Sequence, residues 1–175
     1  MSKLHAFYLK TEQTEFPEVL LEEISKLIKQ NQKLVRGEAV IKNDMIAVPF
    51  YRDRPNGFFI TTNKEAAMVN IKDKALFTAV KYHNNSENDF LYELALMVKY
   101  YLKENFIVNS DDFEHGISMD WISAAQKITE KGYPIEFVPS YNHSGANFII
   151  DGKEVENTFD EDGGIFNSMF TLVAK

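Results

Sequence analysis

Three carboxylates and an imidazole lie together in the segment Asp111-Asp112-Phe113-Glu114-His115. Carboxylate oxygens suit hard divalent cations, and a carboxylate near an imidazole can serve as general acid and base. A carboxylate-metal-dependent hydrolase using Asp111, Asp112, Glu114 and His115 is therefore one functional hypothesis. The sequence favours a simpler interpretation, in which these acidic residues precede a helix starting near Met119 and stabilise its positive end.

A second acidic group, Asp160, Glu161 and Asp162, lies in the glycine-bearing segment 157–164 near the C-terminus. The segment can be aligned with a calcium-binding loop, but Thr158 and Met169 would then occupy the first and twelfth positions, where carboxylate ligands are needed. The comparison with a calcium loop fails at both anchoring positions. We interpret the segment as a surface suited to a cationic partner.

No other combination of residue types predicts a catalytic or metal centre. Ser144 beside His143 lacks a Gly-x-Ser-x-Gly elbow and an orienting acid, and the chain has neither a Walker-A loop nor a Gly-x-Gly-x-x-Gly turn. The chain has no cysteine, which excludes disulfides, thiolate metal sites and cysteine nucleophiles. The histidines are spread over separate segments and never occur at the i, i+4 spacing of a helical zinc pair: His5, His83, His115 and His143. We therefore predict no bound metal and no cofactor.

The charge balance argues against nucleic acid as a partner. Nineteen basic and 26 acidic side chains give a formal charge of −7, and the lysines are scattered along the chain. Such a surface repels phosphate backbones. No segment approaches the roughly 20 apolar residues that span a bilayer, and the short apolar run 6–9 ends at Lys10, far short of a signal peptide. These features predict a cytoplasmic protein that binds neither nucleic acid nor membrane.

The first half of the chain reads as a strand and a helix followed by a β-meander. A strand is expected over 4–10, and Pro17 begins a helix whose apolar face holds Leu20, Ile24, Leu27 and Ile28. Turn residues then separate three β-rich runs at 35–41, 45–51 and 57–62. Residues 66–71 and 75–82 are compatible with strand or helix, and β-formers favour strand for the second.

The second half is dominated by two predicted helices. A capping-box variant at 86–89 begins a helix over 86–105, and a second spans 118–131 and ends at Gly132. A strand at 135–138 and a hairpin with a type I′ turn at Asp151-Gly152 follow. The run 165–174 suits either a strand or a helix.

Trp121, the only tryptophan, allows two interpretations. It is favoured as a core anchor, and the alternative is a partly exposed anchor in an interface. We include it among the candidate binding residues beside the acidic segments.

These patterns predict one α+β domain over residues 1–175, with a mainly antiparallel sheet and about three helices packed on one face. The leading functional hypothesis is a non-enzymatic acidic binding protein that neutralises a basic partner protein, as an immunity protein does with a toxin domain. The candidate binding residues are Asp160, Glu161, Asp162, Asp111, Asp112, Glu114 and Trp121. The alternative hypothesis is the carboxylate-metal hydrolase described above.

Overall fold

A computed structural model describes residues 3–9, 15–49, 57–62, 78–79, 85–103, 106–110, 119–140 and 145–155. These ranges contain three helices, which are α1 (Glu18–Gln30), α2 (Asn85–Leu102) and α3 (Met119–Glu130). They also contain nine strands: β1 (Lys3–Leu9), β2 (Val40–Lys42), β3 (Met45–Pro49), β4 (Gly57–Thr61), β5 (Thr78–Ala79), β6 (Phe106–Ser110), β7 (Ile135–Ser140), β8 (Gly145–Ile150) and β9 (Lys153–Val155).

The strands form two antiparallel sheets, which confirms the predicted α+β class. The larger sheet has the order β5-β1-β6-β8-β7, and β9 also pairs with β8. The smaller sheet is the meander β2-β3-β4. The prediction of one main sheet is refined to two, because the described strands of the meander pair only with one another. The single domain over residues 1–175 stays a prediction.

Helix α1 follows its sequence pattern closely. Pro17 occupies the N-cap, and its carbonyl accepts hydrogen bonds from the amides of Leu20 and Leu21 at 3.0 and 3.3 Å. The helix ends at Asn31, whose side-chain amide donates to the carbonyl of Leu27 at 2.9 Å. The four apolar residues predicted to share a face are buried: Leu20, Ile24, Leu27 and Ile28.

Helix α2 is more central than its sequence suggests. One broad apolar face was expected to pack on the sheet, yet every residue from Phe90 to Lys99 is buried, including Glu93 and Lys99. The reason is that α1 and α3 both pack on α2, while α2 also contacts β6 and β4. Because neighbours cover several sides of α2, the polar residues Glu93 and Lys99 have no solvated face to occupy and are buried with the apolar ones.

The region from α3 to β9 matches the predicted turns. Gly132 has a φ of 99°, as expected for the residue that ends a helix in the left-handed conformation. Asp151 and Gly152 have φ values of 53° and 78°, so both central residues of the β8–β9 turn have the positive φ of a type I′ turn. Strand β6 was not predicted, because its short apolar run comes directly after the residues assigned to the helix over 86–105.

Candidate functional site

A pocket of about 200 Å³ opens on the surface where α1, α2 and the turn after α3 meet. Leu27 and Met97, each only 2% exposed, form its apolar floor. Its remaining lining is polar or amphipathic and consists of Glu23, Lys26, Gln30, Lys131 and Tyr133. A concave surface where polar groups converge on an apolar floor offers a small molecule both kinds of contact.

The end of α3 places Tyr133 in this pocket. The amide of Tyr133 donates to the carbonyl of Ile128, and the amide of Gly132 donates to that of Thr129, both at 3.0 Å. This pair of bonds is the Schellman motif, in which the residue after the left-handed glycine folds back on the helix. The local sequence at the end of α3 therefore fixes the direction in which the Tyr133 side chain leaves the helix.

Glu23 is the polar centre of the pocket. Its Oε2 accepts a hydrogen bond from the Tyr133 hydroxyl, and its Oε1 accepts one from Lys26 Nζ at 2.9 Å. The Tyr133 hydroxyl and then Lys26 hold the pKa of the Glu23 carboxyl below its ordinary value, against the opposing effect of desolvation. Burial, followed by the hydrogen bond to Glu23, raises the pKa of Tyr133. Both side chains therefore keep their ordinary neutral-pH forms, carboxylate and phenol.

Lys131 joins the pocket to the core of α2. Its Nζ lies 2.8 Å from Glu93 Oε1, and the Glu93 side chain is only 7% exposed. A carboxylate at that depth requires a partner, since burial of an isolated charge is costly. The need to neutralise Glu93 thus holds the Lys131 ammonium at the edge of the pocket.

Three tyrosine rings pack beside the pocket. Tyr100 and Tyr101 meet edge to face at 5.3 Å between ring centroids, and Tyr133 lies 5.4 Å from Tyr100 and 5.8 Å from Tyr101. The Tyr100 hydroxyl donates to Asp151 at 3.0 Å, and burial together with this bond raises the pKa of Tyr100. The cluster links α2 to the turn after α3 and to the β8–β9 turn.

A buried cation lies deeper in the same region. Lys99 is 0% exposed, and its Nζ donates to the carbonyl of Phe106 at 2.6 Å. The same Nζ lies 4.9 Å from the centroid of the Phe148 ring, within the range of a cation–π interaction. Lys99 therefore ties α2 to β6 and β8.

The acidic residues singled out from the sequence lie outside the described residues. They are Asp111, Asp112, Glu114 and His115 in the first segment and Asp160, Glu161 and Asp162 in the second. Their roles in binding, or in a metal centre, stay predictions. Among the described residues alone, no group of three or more histidine, aspartate or glutamate side chains could hold a metal ion.

Trp121 is placed in the core. It is 0% exposed, and its ring lies 4.3 Å from that of Tyr92 with a tilt of 32° between the planes. The sequence favoured this core position over an interface anchor. A side chain without accessible surface in the folded chain cannot contact a partner directly, so its inclusion among candidate binding residues gains no support.

Comparison with protein-family models, with curated proteins and with solved structures finds no match to this chain. Within the described ranges, none of the helices combines the length and the apolar character that crossing a bilayer requires.

The sequence did not reveal the pocket. Its residues come from α1, α2 and the turn after α3, and Glu23 and Tyr133 are 110 positions apart. Glu23, Lys26 and Lys29 read simply as the solvated side of α1. The only partial signal in the sequence is the adjacent pair Tyr100-Tyr101 on α2, and both tyrosines are partly buried.

Proposed function

We propose that the protein is a non-enzymatic binding protein that docks a basic protein partner through its two acidic segments. The observation that carries this proposal is that two stretches of the chain contain acidic residues but no basic ones. Residues 104–126 and 154–174 contain no lysine or arginine, and together they hold ten of the 26 acidic residues. The other parts of the chain hold the remaining 16 acidic residues and all 19 basic ones, a formal charge of +3. The negative charge of the protein therefore resides in these two stretches.

The topology of the larger sheet supports a common location for them. Strand β6, which leads into the first acidic segment, and β9, which leads into the second, are both antiparallel to β8. Both pair with the edge of β8 opposite β7, so they run in the same direction; β9 ends opposite Phe148, and β6 pairs with β8 at Gly145.

The register gives the distance between the two pairings along β8. Asn109 of β6 lies opposite Gly145, and Val155 of β9 lies opposite Phe148. These β8 residues are three positions apart, which corresponds to about 10 Å along a strand. The strands that precede the two acidic stretches are therefore neighbours along one edge of β8, which supports the proposal of one continuous acidic surface.

A surface of this kind acts mainly on the rate of association. Complementary charge accelerates the encounter with a basic partner and is screened by salt. Neutralisation of a basic protein needs no further chemistry, because a bound partner is blocked by occupation of its own surface.

The experiment compares two variants of equal charge. The first variant carries D160N, E161Q and D162N. The control carries E18Q, E22Q and E38Q, which neutralise three exposed acidic residues in the part of the chain that also holds the lysines and arginines. Partners are captured from a lysate at low salt and identified, and the association rate with the purified partner is measured at several salt concentrations.

The expected result is a basic partner whose association rate falls about tenfold or more for the first variant and little for the control. An equal fall in the association rate for both variants would mean that only the net charge of the protein matters, not the position of the acidic residues. Recovery of no basic partner at low salt would overturn the proposal.

A further inference from the structure

The pocket between α1, α2 and the turn after α3 includes none of the acidic residues of the proposed docking surface. What it binds can be considered on its own chemistry.

Its size limits the ligand to a small molecule. A cavity of about 150 Å³ with apolar walls accommodates benzene. The volume of about 200 Å³ found here has room for one aromatic ring with a short polar substituent. The Lys26 and Lys131 side chains are 66% and 36% exposed, so a polar substituent that reaches them would lie on the open side of the pocket.

The lining is divided into an apolar and a polar zone. Leu27 and Met97 offer a floor for an apolar body, and the ring of Tyr133 offers an aromatic wall. Aromatic rings pack favourably edge to face against such a wall, and methionine sulfur makes favourable contacts with ring edges. An aryl group is therefore a better match to this zone than a purely polar body.

The polar zone has more donors than acceptors to offer. Lys26 Nζ and Lys131 Nζ each use one hydrogen bond on a carboxylate, at 2.9 and 2.8 Å, whereas an ammonium has three N–H donors. Both oxygens of Glu23 already accept a hydrogen bond, one from Lys26 and one from Tyr133. The charges of Lys26 and Lys131 are balanced by Glu23 and Glu93, but each ammonium group keeps two further N–H donors for a ligand. This excess of donors favours a ligand with acceptor oxygens, such as a carboxylate, over a ligand that is itself a donor.

We propose that this pocket is a binding site for a small aryl carboxylate, with the ring on Leu27, Met97 and Tyr133 and the carboxylate between the ammonium groups of Lys26 and Lys131. The two existing ion pairs stay in place, because each ammonium adds a second acceptor rather than exchanging its first. Gln30 at the rim supplies a further amide donor.

The test uses three probes with nearly the same skeleton: phenylacetate, 2-phenylethanol and phenethylamine. Binding to the 175-residue chain is measured by calorimetry and by amide chemical shifts at low salt. Phenylacetate is expected to bind, with the alcohol weaker by about tenfold because it lacks the charge that the ammonium groups recognise. Shifts should concentrate at α1 and at the turn after α3.

Matched variants assign the carboxylate contact. Lys26→Met keeps the aliphatic stem but removes the ammonium, and it should weaken phenylacetate about tenfold while leaving 2-phenylethanol unchanged. Lys29→Met is the control, since Lys29 is exposed on the same helix and does not line the pocket. Lys131→Met is combined with Glu93→Gln, so that no buried carboxylate is left without its cation.

Several outcomes would overturn the assignment. Equal binding of all three probes would mean that only the apolar floor is recognised, and tighter binding of phenethylamine would mean that Glu23 dominates. Absence of phenylacetate binding at millimolar concentration, or equal effects of Lys26→Met and Lys29→Met, would also reject the proposed site.

Discussion

The hydrogen bond from Tyr133 to Glu23 should be a measurable source of stability, because it connects elements that are distant in sequence. Helix α1 packs mainly on α2, and this bond adds a direct link from α1 to the turn after α3. Replacing Tyr133 with Phe removes the hydroxyl and keeps the ring contacts with Tyr100 and Tyr101.

The magnitude follows from the environment of the bond. A hydrogen bond to a charged group contributes about 1.5–3 kcal/mol. The Glu23 side chain is 20% exposed, so solvent reduces this contribution, and we expect Tyr133→Phe to lower the free energy of unfolding by about 1–2 kcal/mol. Trp121 is the single, buried tryptophan, so its fluorescence can report unfolding in urea.

A double-mutant cycle with Glu23→Gln isolates the pairwise contribution. Both variants and their combination are measured in a Lys26→Met background, since Lys26 also bonds to Glu23. Tyr100→Phe serves as the control, because it removes the bond to Asp151 instead. A coupling energy below about 0.3 kcal/mol would refute the reasoning, since independent sites add to within that margin.

The pH dependence of the difference in unfolding free energy between wild type and Tyr133→Phe provides a second check. The pKa of Glu23 is lowered in the folded state, so its contribution is present above its unfolded pKa, about 4.3, and is lost as the pH falls through the folded value. The pKa of Tyr133 is raised, so its contribution is present below about 10 and is lost as the pH rises further. The stability difference between wild type and Tyr133→Phe should therefore be constant near neutrality and shrink at both extremes.

Leu94→Ala should lower the free energy of unfolding in urea by about 2–5 kcal/mol, because Leu94 is 0% exposed in the central helix. Neutralising residues 160–162 should change it by less than about 0.5 kcal/mol per site. The opposite pattern would mean that Leu94 is not a core residue and that residues 160–162 are not surface residues. Gly152→Ala should cost about 1–2 kcal/mol through its φ of 78° alone, since no atom lies within 4 Å of the added Cβ; an unchanged melting temperature would contradict this. Millimolar magnesium, manganese, calcium or zinc should not raise the melting temperature. A rise abolished by neutralising Asp111 and Asp112 would instead favour the hydrolase hypothesis.

The local elements were predictable because their signals are local. The buried face of α1, the glycine that ends α3 and the Asp151-Gly152 turn all follow from periodicity, helix capping and the positive φ that only certain residues adopt easily. Each of these features depends on residues a few positions apart. Strand β6 escaped prediction because a short apolar run after a helix has no period of its own.

The burial of polar residues in α2 could not be read from its sequence. Glu93 and Lys99 resemble the solvated positions of an amphipathic helix, and they are buried because α1, α3 and two sheets surround α2. Each is accommodated by a partner from another element, Lys131 for Glu93 and the Phe106 carbonyl for Lys99. Periodicity identifies the most apolar side of a helix, but it carries no information on how many other elements pack against the remaining sides.

The sequence by itself determined the class of the fold, the bounds of most helices and strands, and the distribution of charge that underlies the proposed binding of a basic partner. Charge and periodicity are properties of residue order, so they need no coordinates. Only the tertiary structure decided that Trp121 belongs to the core and that Glu23, Lys26, Lys131 and Tyr133 line one pocket. The physical reason is that such a site forms where separate elements pack, and the packing of distant segments is set by the shape of the whole core rather than by any local pattern.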